Sequence, residues 1–475
     1  MNSLLTGKSK TPLQFKVFHT LLGFAVFFSL ITVPAEAQVI NIFGIQTASE
    51  LLWWPIVFFV LRLIHGVYGF AYLRHTVYSV ILFHAVYILF LKFAIWLPAS
   101  SFWKMQTTYT QVLGRDFLYL VQSSFFLWAS SLLIIKFSLG LNAVHRRYVS
   151  WIAFLIFCLF DLHFLNVHNN NDLLQLIVPL LIFGFVNIFY PGLFKLISEL
   201  EQIESPKDSA RLFEFYLPQT IKKDGKTFKY HHMLFCSSIV FFIASKTMAA
   251  KFITIGFLTI NVGGIVFSLA YLGADMMTDV FGIERTKQMV WFVIFCNLLL
   301  VFDVWITNLL AIGDKEPFKA ILHNQARMFM ASATAFYLGM TINLTVISLI
   351  KSRQRQRGIS LKKEFITTVW TRIATSSAFG IIIDVSLFSF VAFYGIVPIE
   401  KLANIIIFED AYKISYEIAL APVSILLIYF LKIKEKVDIY DELSNLNPFR
   451  IDTNYKVSAN KFSENFSKLE ERDNG

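Results

Sequence analysis

Apolar residues come in long runs rather than in alternation. Runs near twenty residues fall at roughly 17–35, 51–70, 77–97, 117–140, 149–167 and 173–197, and again at roughly 233–250, 262–278, 288–311, 326–350, 366–395 and 412–432. About 20 apolar residues in a helix cross ~30 Å of hydrocarbon, so each run predicts a transmembrane helix. Between the two sets lies a polar segment, 201-EQIESPKDSARLFEFYLPQTIKKDGKTFKYHH-232, and the chain turns polar again near its end. The expected fold is all-α: a polytopic bundle of twelve helices in two six-helix units. Residues 1–200 form the first unit, 201–232 a polar linker, 233–441 the second unit and 442–475 a polar tail.

Lys and Arg test this count, because they concentrate in cytoplasmic loops. Arg146 and Arg147 occupy one loop, the linker is basic, and Arg285 and Lys287 mark another. The strongest signal is 351-KSRQRQRGISLKKEF-365, with six basic residues; Lys432, Lys434 and Lys436 follow the last run. Lys104, Arg115, Lys315 and Lys319 lie in the facing loops, which are less basic. Both termini and the linker are therefore expected in the cytoplasm.

Composition agrees: of 475 residues, 56% are hydrophobic and 16% charged, and 51 are Phe. The net charge of +10 is accounted for by the loops. It points to a lipid bilayer and not to nucleic acid. Cys158, Cys236 and Cys296 lie in or near apolar runs, where small apolar packing is expected rather than a disulfide framework. Lys8, Lys10 and Lys16 precede the first run, and Ala35 and Ala37 follow it, a pattern that also fits a cleaved signal peptide.

The two halves resemble each other weakly. The stretch 64-IHGVYGFAYLRHTVYSV-80 lies over 277-MTDVFGIERTKQMVWFV-293, Arg115 matches Arg327, and Asp161 and Asp384 occupy comparable places. This predicts a parallel duplication. The first run then has a counterpart at 233–250 and is expected to stay as a membrane helix rather than be cleaved. Arg62 and Gly66 stand where the second half has Asp275 and Asp279, and most other polar positions of the first half are Phe, Leu or Trp. The second half is thus expected to hold the site.

An ionisable side chain inside a membrane helix costs about 2.5–3.5 kcal/mol or more, and survives where it faces a cavity or a partner. Asp275, Thr278 and Asp279 share one helical face, with Arg285 just beyond. Arg327 opens a helix on which Ser332, Phe336, Gly339 and Asn343 form a stripe. On the next helix Ser377, Gly380 and Asp384 line up, with Arg372 and Ser376 about 120° away, and Glu409, Lys413 and Glu417 repeat every four residues on the last. Plainer readings stand beside these. The aspartates fit helix-end charges paired with Arg285, Arg327 and Arg372 fit interfacial anchors, and Glu409–Lys413–Glu417 fits an ion-pair ladder. Asp384 lies near the bilayer midplane, where a site or a buried pair is expected. His231 and His232, beside Lys229, read as a solvated face of the linker. No Gly-rich phosphate loop, helical His metal pair or nucleophile elbow occurs, so no catalytic residue, metal or cofactor is expected.

The run 251-KFITIGFLTINVGGIVFSLAYLGADMMTDVFGIERTKQMVW-291 resembles the signature of the vitamin-uptake-transporter-like (VUT) family, the queuosine precursor transporters. Ordered matches follow at 326-ARMFMASATAFYLG-339, 371-TRIATSSAFGIIIDVSLFSFVAFYG-395, 412-YKISYEIALAP-422 and 434-KEKVDIYD-441. The resemblance covers the second half only. It implies a six-helix unit in a bacterial inner membrane that takes up a 7-deazaguanine such as 7-cyano-7-deazaguanine. It carries over Asp275, Asp279, Arg327, Ser332, Arg372, Ser376, Asp384, Lys413 and Glu417 as solute-binding or ion-coupling residues. Where the family has Gly-Gln and then Asp, this chain has Gly339-Met340 and Asn343, which joins the candidate set; Phe-Pro-Leu is Phe267-Ser268-Leu269. A carboxylate pairs with the N–H donors of a guanine-like edge, and a planar ring suits an aromatic slot. A proton or a sodium ion would suit the aspartates as coupling ion. Two readings compete: a transporter of another vitamin or purine-like solute, and a non-transporting sensor or scaffold.

Overall fold

The computed structural model describes residues 15–35, 38–101, 104–114, 117–133, 135–136, 143–160, 173–201, 228, 230–249, 251–255, 258–312, 325–356, 361–395, 398–441, 447, 449 and 459–466. The first half opens with α1 (Phe18–Ala35), a hairpin of β1 (Val39–Ile42) and β2 (Ile45–Ala48), α2 (Trp54–Tyr68) and α3 (Phe70–Trp96). It continues with α4 (Gln106–Leu113), α5 (Phe117–Trp128), α6 (Ala143–Phe160), α7 (Ile177–Ile188) and α8 (Tyr190–Glu201). The second half holds α9 (His231–Met248), a hairpin of β3 (Phe252–Ile255) and β4 (Leu258–Asn261), α10 (Val262–Phe281) and α11 (Ile283–Leu310). Three long helices complete it: α12 (Gln325–Gln356), α13 (Leu361–Phe393) and α14 (Ile399–Glu435).

Among the described residues, eight helical spans are long and apolar enough to cross a membrane, or nine if α7 and α8, bent by 47°, form one span. The described parts of the expected runs are helical, but these eight or nine spans are fewer than the twelve expected. Among those not counted, α9 carries His231, His232 and Lys246, and α6 is short in its apolar part. α12 and α13, of 32 and 33 residues, run well past the apolar core into the basic segment between them. At ~1.5 Å per residue each is far longer than ~30 Å of hydrocarbon requires.

α1 is apolar all round and lies almost wholly buried, packed on α2, α3 and α9. Its N-terminus is held by Glu201, whose carboxylate accepts from the Lys16 and Val17 amides at 2.9 and 2.6 Å and from the Tyr68 hydroxyl at 2.8 Å. That satisfies donors at the start of the helix and places a negative charge at its positive end. All three cysteines are buried. His231 and His232 correct the sequence reading. They begin α9 and are each 3% exposed, because this end of α9 enters between α1 and α3. His19 meets the His231 ring edge-on, and His75 Nε2 lies 2.6 Å from His232 Nε2.

The element order helix, hairpin, helix, Gly, helix occurs in both halves. The glycine between the paired helices is left-handed each time, Gly69 at φ 87° and Gly282 at φ 86°. The hairpins reach across. The Ile312 amide donates to the Val39 carbonyl at 3.1 Å beside an Ile40–Ala311 bridge, so β1 clasps the end of α11. In return the Ser100 amide donates to the Phe252 carbonyl at 2.9 Å, and Ser100 Oγ meets Thr254 Oγ1 at 2.7 Å, so β3 clasps the chain beyond α3. Lys251 strengthens this side, donating to the carbonyls of Ala94 and Leu97 at 2.8 and 2.5 Å. Arg115 and Asp161, two of the expected repeat positions, lie outside the described residues, as do Lys315, Lys319 and most of the linker.

Candidate functional site

In the second half, α10 presents Phe267, Tyr271, Asp275 and Asp279 at four-residue intervals, one stripe along a helix. That stripe faces α12, α13 and α14. α12 and α13 cross where Gly339 and Gly380 meet. A Cβ on Gly339 would lie 2.8 Å from the Gly380 carbonyl oxygen and 2.7 Å from the Tyr271 hydroxyl. The two glycines thus let two backbones and one tyrosine share a space that side chains would fill. Their carbons flank Asn343 and Asp384, which are thereby set at the crossing.

Buried polar side chains form a lane of three layers along this seam. At the basic end, Asp279 pairs with Arg372 at 2.8 Å and Lys432 at 2.5 Å. Lys432 and Lys351 both reach Asp438, at 2.8 and 2.9 Å, and Lys351 also donates to the Asp279 and Ile439 carbonyls. Asp438 lies beyond the end of α14. Burial alone would raise its pKa, but Lys351 and then Lys432 hold it below the ordinary carboxylate range. The Tyr440 phenol beside it is pushed up to about 12 by burial and by the Asp438 charge. Asp441 is shifted upward by burial, against Lys351, the Ile283 amide and Ser348. Residues 459–466 cover this layer: Asn460 Oδ1 accepts from the Asp438 amide at 2.9 Å, and Asn465 donates to the Asp438 carboxylate at 2.7 Å.

The central layer is different in kind. Asp275 accepts from Asn343 Nδ2 at 2.6 Å and Ser377 Oγ at 2.8 Å, both neutral donors. Glu417 faces Asp275, Ser377, Lys413 and Asp384; Ser377, a neutral donor, is within hydrogen-bonding reach of its buried carboxyl group. The Tyr271 hydroxyl lies among Asp384, Glu417 and Asp275 and has no hydrogen-bond partner, nor has Asn343 Oδ1. The outer layer, toward the hairpins, joins Asp384 with Lys246 and Lys413; Lys246 touches Ser332 Oγ, and Glu409 lies 3.9 Å from Lys413. Phe242, Phe267 and Phe336 stand beside both upper layers, with ring centroids 5.2 to 6.4 Å apart. Lys246 and Lys413 lie over the Phe267 ring at 5.3 and 5.5 Å. Such rings attract a cation and offer a flat apolar wall.

Residues 261–427 match the family model described as "Putative vitamin uptake transporter". No curated protein and no solved structure matches the chain. The uptake-transporter region covers about a third of the chain and contains all ten candidate residues named from the sequence. The chain is therefore a multi-pass membrane protein in which residues 261–427 are similar to that family.

Within that region the structure brings together Asp275, Asp279, Ser332, Asn343, Arg372, Asp384, Lys413 and Glu417, all buried in the lane. Arg372 is 1% exposed and ion-paired, rather than an interfacial anchor. Asp279 finds Arg372 and Lys432 rather than Arg285, which instead donates to Gln288. Two candidates stand apart. Ser376 donates to the Ile373 carbonyl of its own helix. Arg327 is exposed, its guanidinium donating to the carbonyls of Val391 and Tyr394 at the end of α13. It sits in the first turn of α12, where the last carbonyls of the neighbouring helix are within reach and attract a cation. The sequence reading missed Lys246, Tyr271, Lys351 and Asp438 as lane residues, and took Lys432 for a loop charge. A lysine two residues from a helix end gives no signal in one sequence; the four-residue register of Tyr271 with Asp275 was the available clue. A shallow surface groove lined by Ile283, Lys287, Trp291 and Tyr337 among others shares no residue with the lane.

Proposed function

We propose that the second half imports a small planar solute of the 7-deazapurine type, a queuosine precursor such as 7-cyano-7-deazaguanine, across a bacterial inner membrane. The observation that carries this reading is the central layer. Asn343 Oδ1 and the Tyr271 hydroxyl are buried without hydrogen-bond partners, and Glu417 is buried among Asp275, Asp384 and Ser377, beside a wall of three phenylalanines. Buried polar groups are normally satisfied, and these are left for something that comes and goes. A guanine-like edge supplies N–H donors to Glu417 and Asn343 Oδ1, its ring lies flat on Phe267 or Phe336, and Lys246 or Lys413 donates to its carbonyl or nitrile. The basic end, taken as cytoplasmic, is shut by the Asp279–Arg372–Lys432–Asp438 network, so release to that side requires those pairs to part.

The first half serves as a divergent, duplicated partner in this reading, with the same orientation as the second. The shared element order and the reciprocal hairpins support the duplication. At the place of Asp275, Arg62 is occupied by Asn187 and lies 4.1 Å from the Tyr190 ring, which supports a packed first half without a site. The test is genetic. In a strain unable to make the precursor, the gene restores queuosine in tRNA when 7-cyano-7-deazaguanine is supplied at low concentration. A well-expressed protein that gives no rescue overturns the choice of solute. Met340 and Asn343 replace two hydrogen-bonding residues of the family pattern, so a related purine-like solute is the second arm of the same assay.

A further inference from the structure

We propose that Asp275 and Glu417 share one proton and that this proton crosses the membrane with the solute. The proposal rests on reading the lane as the solute path. It starts from a charge count. The central and outer layers hold three buried carboxyl groups, Asp275, Asp384 and Glu417, against two ammonium groups, half-buried Lys246 and buried Lys413. Asp384 faces both lysines. At the outer rim two half-buried carboxylates take further shares of Lys413, Glu409 at 3.9 Å and Asp410, which also faces Asp384. The basic end lends nothing, because Asp279, Asp438 and Asp441 there stand against Arg372, Lys351 and Lys432.

Fully ionised, the central and outer layers therefore hold more negative than positive charge, and the partners show where the excess is least compensated. The groups facing the pair are Tyr271 and Asp279 on α10, Asn343 on α12, Ser377 and Asp384 on α13 and Lys413 on α14. Asp279 is one turn away and held by two cations, whereas Asp275 is held only by neutral donors. Glu417 likewise has a neutral donor, Ser377, within reach, and faces Asp275, Asp384 and Lys413. A buried carboxylate without counter-charge costs several kcal/mol, and two neighbouring carboxylates relieve that cost by binding one proton between them. The proton is taken from water on the hairpin side, forms an O–H bond on one carboxyl and is released to water on the basic side. The other carboxyl stays an acceptor for the solute. Closing the chamber is cheap only when the proton is present, which ties its passage to that of the solute.

Purified full-length protein in liposomes tests this with labelled 7-cyano-7-deazaguanine. An inward proton gradient should accumulate the solute above equilibrium, a protonophore should abolish the accumulation, and a sodium gradient alone should give none. Accumulation driven by sodium, or mere equilibration under both gradients, overturns the proposal. Absence of any entry overturns the solute instead, and a solute-free readout then still decides the proton. Infrared difference spectra of the protein across a pH titration should show a protonated carboxyl band at neutral pH. Either Glu417→Gln or Asp275→Asn should weaken it, since each deletes one carboxyl of the pair; Asp303, buried on the Trp53 indole, adds a part that stays in both variants. A wild-type protein without the band, or a band of unchanged intensity in both folded variants, sinks the shared proton.

Discussion

One helical turn separates Asp275 from Asp279, and the two substitutions to asparagine should part company. Asp279→Asn leaves Arg372 buried without its carboxylate and Lys432 with Asp438 alone. Removing one partner of a buried pair costs about 3–5 kcal/mol, so thermal unfolding in detergent should shift clearly downward. Asp275→Asn keeps the shape, and the hydrogen bonds it alters are those to neutral Asn343 and Ser377, so stability should change by about 1 kcal/mol or less while uptake is lost. An Asp275→Asn protein that transports normally removes Asp275 from the site. Asp438 gives a pH prediction with a definite sign. Its folded-state pKa lies below the ordinary value near ~3.9, so its stabilisation is complete above that value and lost as pH falls through the lower one. Melting temperature should hold steady from neutral pH to about 5 and fall below about 4, and Asp438→Asn should flatten that fall while lowering the neutral value. Single residues were legible where an ionisable group interrupts an apolar run, as Asp384 and Glu417 do. They were not legible where the group sits near a helix end, as Lys246, Lys351 and Lys432 do, because there a charge needs no partner. The choice of Arg372 over Arg285 for Asp279 depends on which helices are neighbours, and spacing along one helix does not contain it.

At the scale of elements, the crossing of α12 and α13 fixes the central layer. Gly339→Ala would place a methyl 2.7 to 2.8 Å from the Tyr271 hydroxyl, the Asp384 Cβ and the Gly380 backbone. The backbone contact cannot swing away as a side-chain tip can, so the two helices must separate. Overpacking of this kind costs about 1–3 kcal/mol, and here it also pulls Asn343 and Asp384 from their partners. Both the melting temperature and uptake should drop, whereas Gly192→Ala, with nothing within 4 Å of the added carbon, should change neither. A Gly339→Ala protein of full stability and activity shows that the crossing does not set the site. The helices themselves were legible from length and hydropathy, since each run had only to span hydrocarbon. Their ends were not: α12 and α13 continue past the apolar core on polar residues that a hydropathy window discards. Nor were the hairpins. VINI and IQTA are four residues each, too short for an alternation to stand out, and Phe43-Gly44 turns between them with both residues at positive φ.

Across the whole molecule, the halves hold each other by exchange. Each hairpin clasps the far end of the other half's third helix, and His232 of α9 reaches His75 of α3. Lys251, fully buried, has its ammonium on the carbonyls that end α3. Residues 228–475 expressed alone would expose the face of α9 that α1 and α3 cover and would leave Lys251 without those acceptors. Isolated buried cations and bare helix faces inside a bilayer are expensive, so this fragment should reach the membrane poorly or aggregate on extraction. Supplying residues 1–201 as a separate chain restores every one of these contacts, because none depends on the linker between 202 and 227. Co-expression should therefore recover a complex that copurifies on a tag carried by either fragment, together with uptake. The outcome separates two roles for the first half. If the fragment 228–475 is monodisperse and transports as well as the full chain, the first half is dispensable cover. If only the pair transports, the site of the second half is built on a frame that the first half completes. The Lys251 contacts favour the latter, since α10 follows directly on the hairpin that Lys251 anchors and carries Asp275 in its fourth turn.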